Sequence, residues 1–146
     1  MTRKLHLTID SSELGIEIPG NCTLPLENFN SESYNRVALN RTYIHHESDV
    51  RLLFRFNARV NPIYIHCSLL NKDDNLINGQ KSDVIGILYP LTKFKSKSFS
   101  AQSPSNSYKL VKSDTKISMS LTNADGTPVD ERSKFEVIYE LEFSWS

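Results

Sequence analysis

The chain has 146 residues with 17 Lys and Arg against 17 Asp and Glu, so its formal charge is zero. That length fits a single domain, residues 1–146, burying roughly two thirds of its unfolded surface, and the balanced charge lacks the basic surplus of a direct nucleic-acid binder. No apolar run approaches a membrane span, and Met1 to Leu7 carries Arg3 and Lys4 without the apolar segment of a secretory signal. The expectation is a soluble chain from a reducing compartment, with Cys22 and Cys67 as buried free thiols and the Asn21 and Asn40 sequons as chance matches.

Leu5, Leu7 and Ile9 alternate with His6, Thr8 and Asp10, which predicts a first strand. A short second run, Leu14 to Ile18, stops at Pro19-Gly20. Leu24 and Leu26 flank Pro25, which cannot donate to a ladder, so this piece belongs at a sheet edge or in an extended loop. Arg36 to His45 alternates less cleanly but is rich in β-branched and aromatic residues, and reads as a strand. Val50 to Asn57 reads as a half-buried strand with arginines outward. Ile63 to Leu70 follows, with Ile63, Ile65, Cys67 and Leu69 on one face and Tyr64, His66 and Ser68 on the other.

Lys72 to Gln80 is polar and ends near Asn78-Gly79, a turn signal. Ser82 to Leu91 is almost wholly apolar, and Gly86 within it suggests a bulge or close packing. Lys93, Lys95 and Lys97 read as an exposed strand edge or loop. Ser96 to Ser107 is rich in serine and reads as an exposed loop, followed by a short strand from Tyr108 to Lys112. The clearest alternation comes last. Ile117, Met119 and Leu121 form one run, and Phe135, Val137, Tyr139, Leu141, Phe143 and Trp145 form the next, with Asn123, Asp125, Gly126 and Pro128 between them. These two runs are expected to be antiparallel partners joined by a turn.

Eight to ten short strands, no persuasive helix and frequent turn chemistry predict an all-β fold: an antiparallel two-sheet sandwich, with a single jelly roll of about eight strands as its topology. Catalytic and ligand-binding signatures are sparse. His45 and His46 are adjacent, so on a strand they face opposite ways and cannot both hold one metal; His6 and His66 would join them only through tertiary placement. Glu136, Glu140 and Glu142 read as a solvated strand face, and Asp73-Asp74 as loop residues without a catalytic companion. Turn propensity accounts for Asp125 without calcium, and Asp130 and Glu131 complete that acidic group. No catalytic, cofactor or metal site is assigned, and an enzyme is not expected. Tyr34, Tyr43, Tyr64, Tyr89 and Tyr108 offer aromatic surfaces of the kind that stack on sugars, which keeps a fibre-head or lectin-like module as the alternative.

Three segments carry a resemblance to a known family: Ile63-Tyr64-Ile65-His66-Cys67-Ser68-Leu69, Ser118-Met119-Ser120-Leu121-Thr122-Asn123-Ala124-Asp125-Gly126-Thr127-Pro128-Val129, and Val137-Ile138-Tyr139-Glu140-Leu141-Glu142-Phe143. With Ile16 to Pro19 and Tyr34-Asn35-Arg36-Val37-Ala38-Leu39, they resemble the small capsid proteins of Polinton/Maverick elements and adintovirus-like viruses. The chain departs from that pattern at Ile44-His45-His46 and at Ser68. The resemblance implies a single jelly roll of penton or minor-capsid type, made in the host cytoplasm or nucleus and carried in the virion. It further implies a homo-oligomer, a pentamer beside double-jelly-roll major capsid subunits. Lateral contacts are then expected from the loops Asn71 to Lys81 and Lys93 to Ser107, with Met1 to Lys4 as a candidate arm.

Overall fold

The structure is a computed structural model that describes residues 4–10, 22–25, 33–46, 62–89, 98–102, 106–111, 116–127, 129 and 135–145. The expected strands Leu14 to Ile18 and Val50 to Asn57, the basic group Lys93, Lys95 and Lys97, and Asp130 and Glu131 lie outside the described residues. Eleven strands are described: β1 (Lys4–Asp10), β2 (Cys22–Pro25), β3 (Arg36–His46), β4 (Ile63–Cys67), β5 (Leu76–Ile77), β6 (Gln80–Lys81), β7 (Val84–Leu88), β8 (Ser98–Gln102), β9 (Tyr108–Lys109), β10 (Lys116–Asn123) and β11 (Phe135–Ser144).

One sheet has the order β1-β11-β3-β8, with β9 also on β3; the other has the order β2-β10-β4-β7. All of these pairings are antiparallel. The strands thus form a five-stranded and a four-stranded antiparallel layer in the strand order of a jelly roll. The all-β sandwich expected from the alternation is the observed fold, with β5 and β6 as a small added hairpin.

β11 is central to the first sheet because one whole side of it is apolar. Phe135, Val137, Tyr139, Leu141 and Phe143 are all buried, while Glu136, Ile138, Glu140, Glu142 and Ser144 face outward. β10 mirrors it in the second sheet, with Ile117, Met119, Leu121 and Asn123 inward. Burying one such large apolar side chain contributes about 1.5–3 kcal/mol, so two fully alternating strands make strong centres for the two layers.

The C-terminal hairpin expected from the sequence is not formed. β10 pairs with β2 and β4, and β11 pairs with β1 and β3, so the two strands face each other across the core. The turn chemistry is genuine but local. Gly126 takes a φ of +87°, its N–H donates to the Asn123 carbonyl at 3.0 Å, and the Asn123 N–H donates to the Thr127 carbonyl at 2.8 Å. The Asp125 carboxylate accepts from the Thr127 N–H at 3.0 Å and from its hydroxyl at 2.6 Å. This closes the turn. Trp145 also departs from expectation: it lies past the end of β11 and is 43% exposed.

The uneven pattern of β3 has a physical cause. Glu140 pairs with Arg41 and Leu141 with Leu39, so Asn40 is an extra residue on β3. This one-residue bulge switches the inward set from Val37 and Leu39 to Thr42, Ile44 and His46. A second register shift lies between Ile65 and His66, where Ile65 pairs with Gly86 and His66 with Val84, leaving Ile85 as the extra residue beside the glycine singled out above.

Two further expectations are corrected. β4 ends at Cys67, where Ser68 and Leu69 turn, although Leu69 and Leu70 remain buried. Part of the supposed loop Ser96 to Ser107 is β8, which adds to β3 by backbone pairing. Residues 108–111 then join the layers. Tyr108 and Lys109 pair with β3, Leu110 bridges Leu70, and the Val111 N–H donates to the Leu69 carbonyl at 2.8 Å.

Cys22 and Cys67 are buried free thiols that flank Met119 from either side. Two strand spacings separate their Cα atoms by about 9–10 Å, beyond the reach of a disulfide.

Candidate assembly surfaces

The outer face of the β1-β11-β3-β8 sheet is polar and charge-matched across strands. Glu142 sits beside Lys4 at 3.5 Å, His6 at 3.9 Å and the Asn40 amide, which donates at 3.2 Å. That hydrogen bond, then the Lys4 and His6 charges, holds the Glu142 carboxyl below its ordinary range against the opposing effect of burial. Glu140 pairs with Arg41 in register, and Arg41 donates to the Tyr43 hydroxyl at 2.8 Å while its guanidinium stands 5.7 Å from that ring. The carboxylates Glu136, Glu140 and Glu142 therefore lie on the outward face of β11, with Glu142 beside Lys4 and His6.

On the other outer face the structure assembles what the sequence left apart. His66 is held between Asp83 and Thr122, with Nδ1 at 2.7 Å from the Asp83 carboxylate and Nε2 at 2.7 Å from the Thr122 hydroxyl. An ionised carboxylate only accepts, so Asp83 fixes the proton on Nδ1 and leaves Nε2 to accept from Thr122 in the neutral ring. The same carboxylate–imidazole–hydroxyl order serves hydrolases, which also require oxyanion donors aimed at the reacting carbonyl. Here it ties β4, β10 and the approach to β7 together, reinforced by the Cys67 N–H donating to the Asp83 carbonyl at 3.0 Å. Asp83 and Thr122 lie 17 and 56 residues from His66, so no local pattern announces the group.

The other histidines do not converge. His6 lies on β1, His45 is exposed at the end of β3, and its neighbour His46 points inward and is 3% exposed. Among the described residues no three His, Cys, Asp or Glu side chains come together, and no helix is long and apolar enough to cross a membrane.

The loop Asn71 to Lys81 is an ordered projection. A 3-10 turn, Lys72–Asp74, is capped by the Asn71 side chain, which accepts from the Asp73 N–H at 3.0 Å. β5 and β6 then reverse through Asn78 and Gly79 at φ of +51° and +79°, the two-residue turn that asparagine and glycine favour. Lys81 pairs with Asp73 at 2.7 Å, and the Asn75 amide donates to the Val84 carbonyl at 2.7 Å, holding the projection against β7. Beside it lies an open hollow of about 190 Å³, lined chiefly by Ile77, Ile85, Ile87, Tyr89 and Tyr108. β7 pairs only with β4 among the described residues, so the hollow borders a sheet edge.

The five tyrosines do not form one platform. Tyr34 packs on Phe143 with ring centroids 6.4 Å apart, Tyr43 and Tyr64 lie on opposite sheets, and Tyr89 and Tyr108 both line the hollow.

No known protein family and no curated protein matches the sequence. Among solved structures the fold is similar to the mavirus penton protein, with a TM-score of 0.62 over 99% of this chain and 100% of that one at 8% identity. The fold is penton-like. The Drosophila NLP-core, whose structure bears on pentamer formation and histone binding, has a TM-score of 0.35 at 6% identity over 100% of this chain and 99% of its own. Turnip yellow mosaic virus has a TM-score of 0.28 at 11% identity over 99% and 92%. Both superpose too loosely to bear on this chain. The penton-like match spans both chains from end to end and establishes a shared fold.

Proposed function

We propose that this chain is a structural capsid subunit of the penton or minor-capsid type that works by self-assembly. The observation that carries the reading is the end-to-end likeness in fold to the mavirus penton protein. The surfaces described above agree with it. The ordered chemistry pins strands together, whereas the apolar hollow and the projecting β5–β6 hairpin face outward, as a subunit that docks on its neighbours requires. In this reading the protein forms a pentamer beside double-jelly-roll major capsid subunits in the virion of a Polinton- or adintovirus-like element, and the loop Asn71 to Lys81 is one of its lateral contacts.

Native mass spectrometry of the purified chain across a concentration series tests this. One closed oligomer, of five copies, is the expected result, and monomers alone at every concentration contradict it. The lectin-like alternative predicts instead a saturable glycan hit on a glycan array, abolished by Tyr89→Ala at the hollow that Tyr108 also lines.

A further inference from the structure

The exposed large apolar side chains among the described residues are Leu5, Leu76, Tyr89 and Trp145, at 37%, 62%, 56% and 43% exposure. Three of them stand at two places on the sandwich. Leu5 pairs in register with Phe143, and Trp145 follows Ser144, the partner of Lys4, so both stand at the β1–β11 corner. Tyr89 lines the hollow, which β7 and Tyr108 bound at the far edge, since β9 pairs with the opposite side of β3 from β11, whereas Leu76 stands on the other face of β5 from Ile77. One edge therefore carries an apolar knob and the other an apolar socket.

Size agrees with chemistry. A cavity of about 150 Å³ accommodates benzene in a well-studied protein, and the hollow here, about 190 Å³ and open on one side, has room for the larger indole ring. Area agrees as well. Leu5, Tyr89 and Trp145 together present about 300 Å², about a third of the apolar area of a standard interface that buries about 1,600 Å² in all. The zero formal charge adds no long-range repulsion between copies. Trp145 remains 43% exposed and does not line its own molecule's hollow, so the two do not engage within one molecule. Between copies they make a head-to-tail contact, which closes into a ring when its rotation closes.

We propose that Trp145 of one copy, with Leu5 beside it, inserts into the hollow between β7 and Tyr108 of the next copy, and that this contact is the apolar centre of the lateral interface. It rests on the self-assembly proposed above and names the residues that carry it. Buried aromatic anchors in pockets dominate interface energetics, which makes Trp145 the hot spot and the polar hairpin β5–β6 part of the rim.

Trp145 is the single tryptophan of the chain, so its own fluorescence reports the contact. The full chain is followed by native mass spectrometry and, in the same samples, by tryptophan emission and acrylamide quenching across a concentration series. As oligomers form, the emission moves to the blue and quenching falls severalfold. Trp145→Ala and Tyr89→Asp each weaken association by at least about tenfold. Both positions are exposed in the single chain, so circular dichroism of the variants stays that of the parent. Oligomers whose Trp145 is quenched as freely as in the monomer overturn this contact and leave self-assembly standing. Monomers at every concentration overturn the assembly reading and the contact with it. A small sugar or aromatic ligand that fills the hollow while Trp145→Ala leaves the oligomer unchanged overturns the contact in favour of a ligand site.

Discussion

Replacing His66 by alanine breaks two hydrogen bonds at once, and the structure sets the magnitude of the loss. The bond to the Asp83 carboxylate is charge-assisted, a class that contributes about 1.5–3 kcal/mol, and the bond to Thr122 is a neutral one of about 0.5–1.5 kcal/mol. Partial solvation lowers both. The His66 and Asp83 side chains keep 23% and 32% of their exposure, so water replaces part of what is lost and the lower end applies. His66→Ala is therefore expected to cost about 2 kcal/mol, which for a chain of this length lowers the melting temperature by about 4–8 °C. Urea denaturation followed by far-ultraviolet circular dichroism measures it.

A double-mutant cycle separates this staple from simple loss of packing. His66→Ala and Thr122→Val, alone and together, should show a coupling of about 1 kcal/mol, because both substitutions remove the same bond across β4 and β10. Additive effects within about 0.3 kcal/mol, or a single-mutant cost below about 0.5 kcal/mol, refute the reasoning.

Three further outcomes follow from the same geometry. Thr42 is fully buried on the inner face of β3, and its hydroxyl has no hydrogen-bond partner among the described residues, so Thr42→Val should stabilise the fold by about 1 kcal/mol in denaturant titration. Burial pushes the Cys67 thiol up to about 12 and raises that of Cys22, so a thiol reagent at pH 8 should modify neither until the chain unfolds, and one fast-reacting native thiol contradicts the sulfur-lined core. The Glu142 carboxyl is held below its ordinary value of 4.5, so its stabilisation is present above that pH and is lost as pH falls through the lower folded value. Glu142→Gln should thus cost up to about 1 kcal/mol at pH 7 and nothing in strong acid, and a pH-independent difference argues against the ion-paired face.

The alternation of β10 and β11 was legible because each buries one face, and a two-residue period has no competing reading. Partner choice was not. Asp125 and Gly126 specify a reversal, but a reversal only returns the chain to the core, and two strands with a complete apolar face each gain more as the centres of opposing layers than as neighbours in one. The length of the connection, residues 124–134, was the available clue, since hairpins favour two to five residues. In β3 the bulge at Asn40 shifted the phase of the pattern partway along the strand, which is why its alternation looked imperfect. β8 was missed because Ser98–Gln102 is held to β3 by its backbone and has little side-chain periodicity to show. The His66 group and the hollow at β7 are products of tertiary placement, joining residues that no sequence window contains together.

Single-particle images of the purified chain, taken at the concentration where native mass spectrometry finds the largest closed species, test the central claim most directly. Class averages of a fivefold ring whose subunits meet β1 edge to β7 edge are the predicted result. A field of isolated monomers, or rings joined through the charged outer faces with both edges left in solvent, contradicts it.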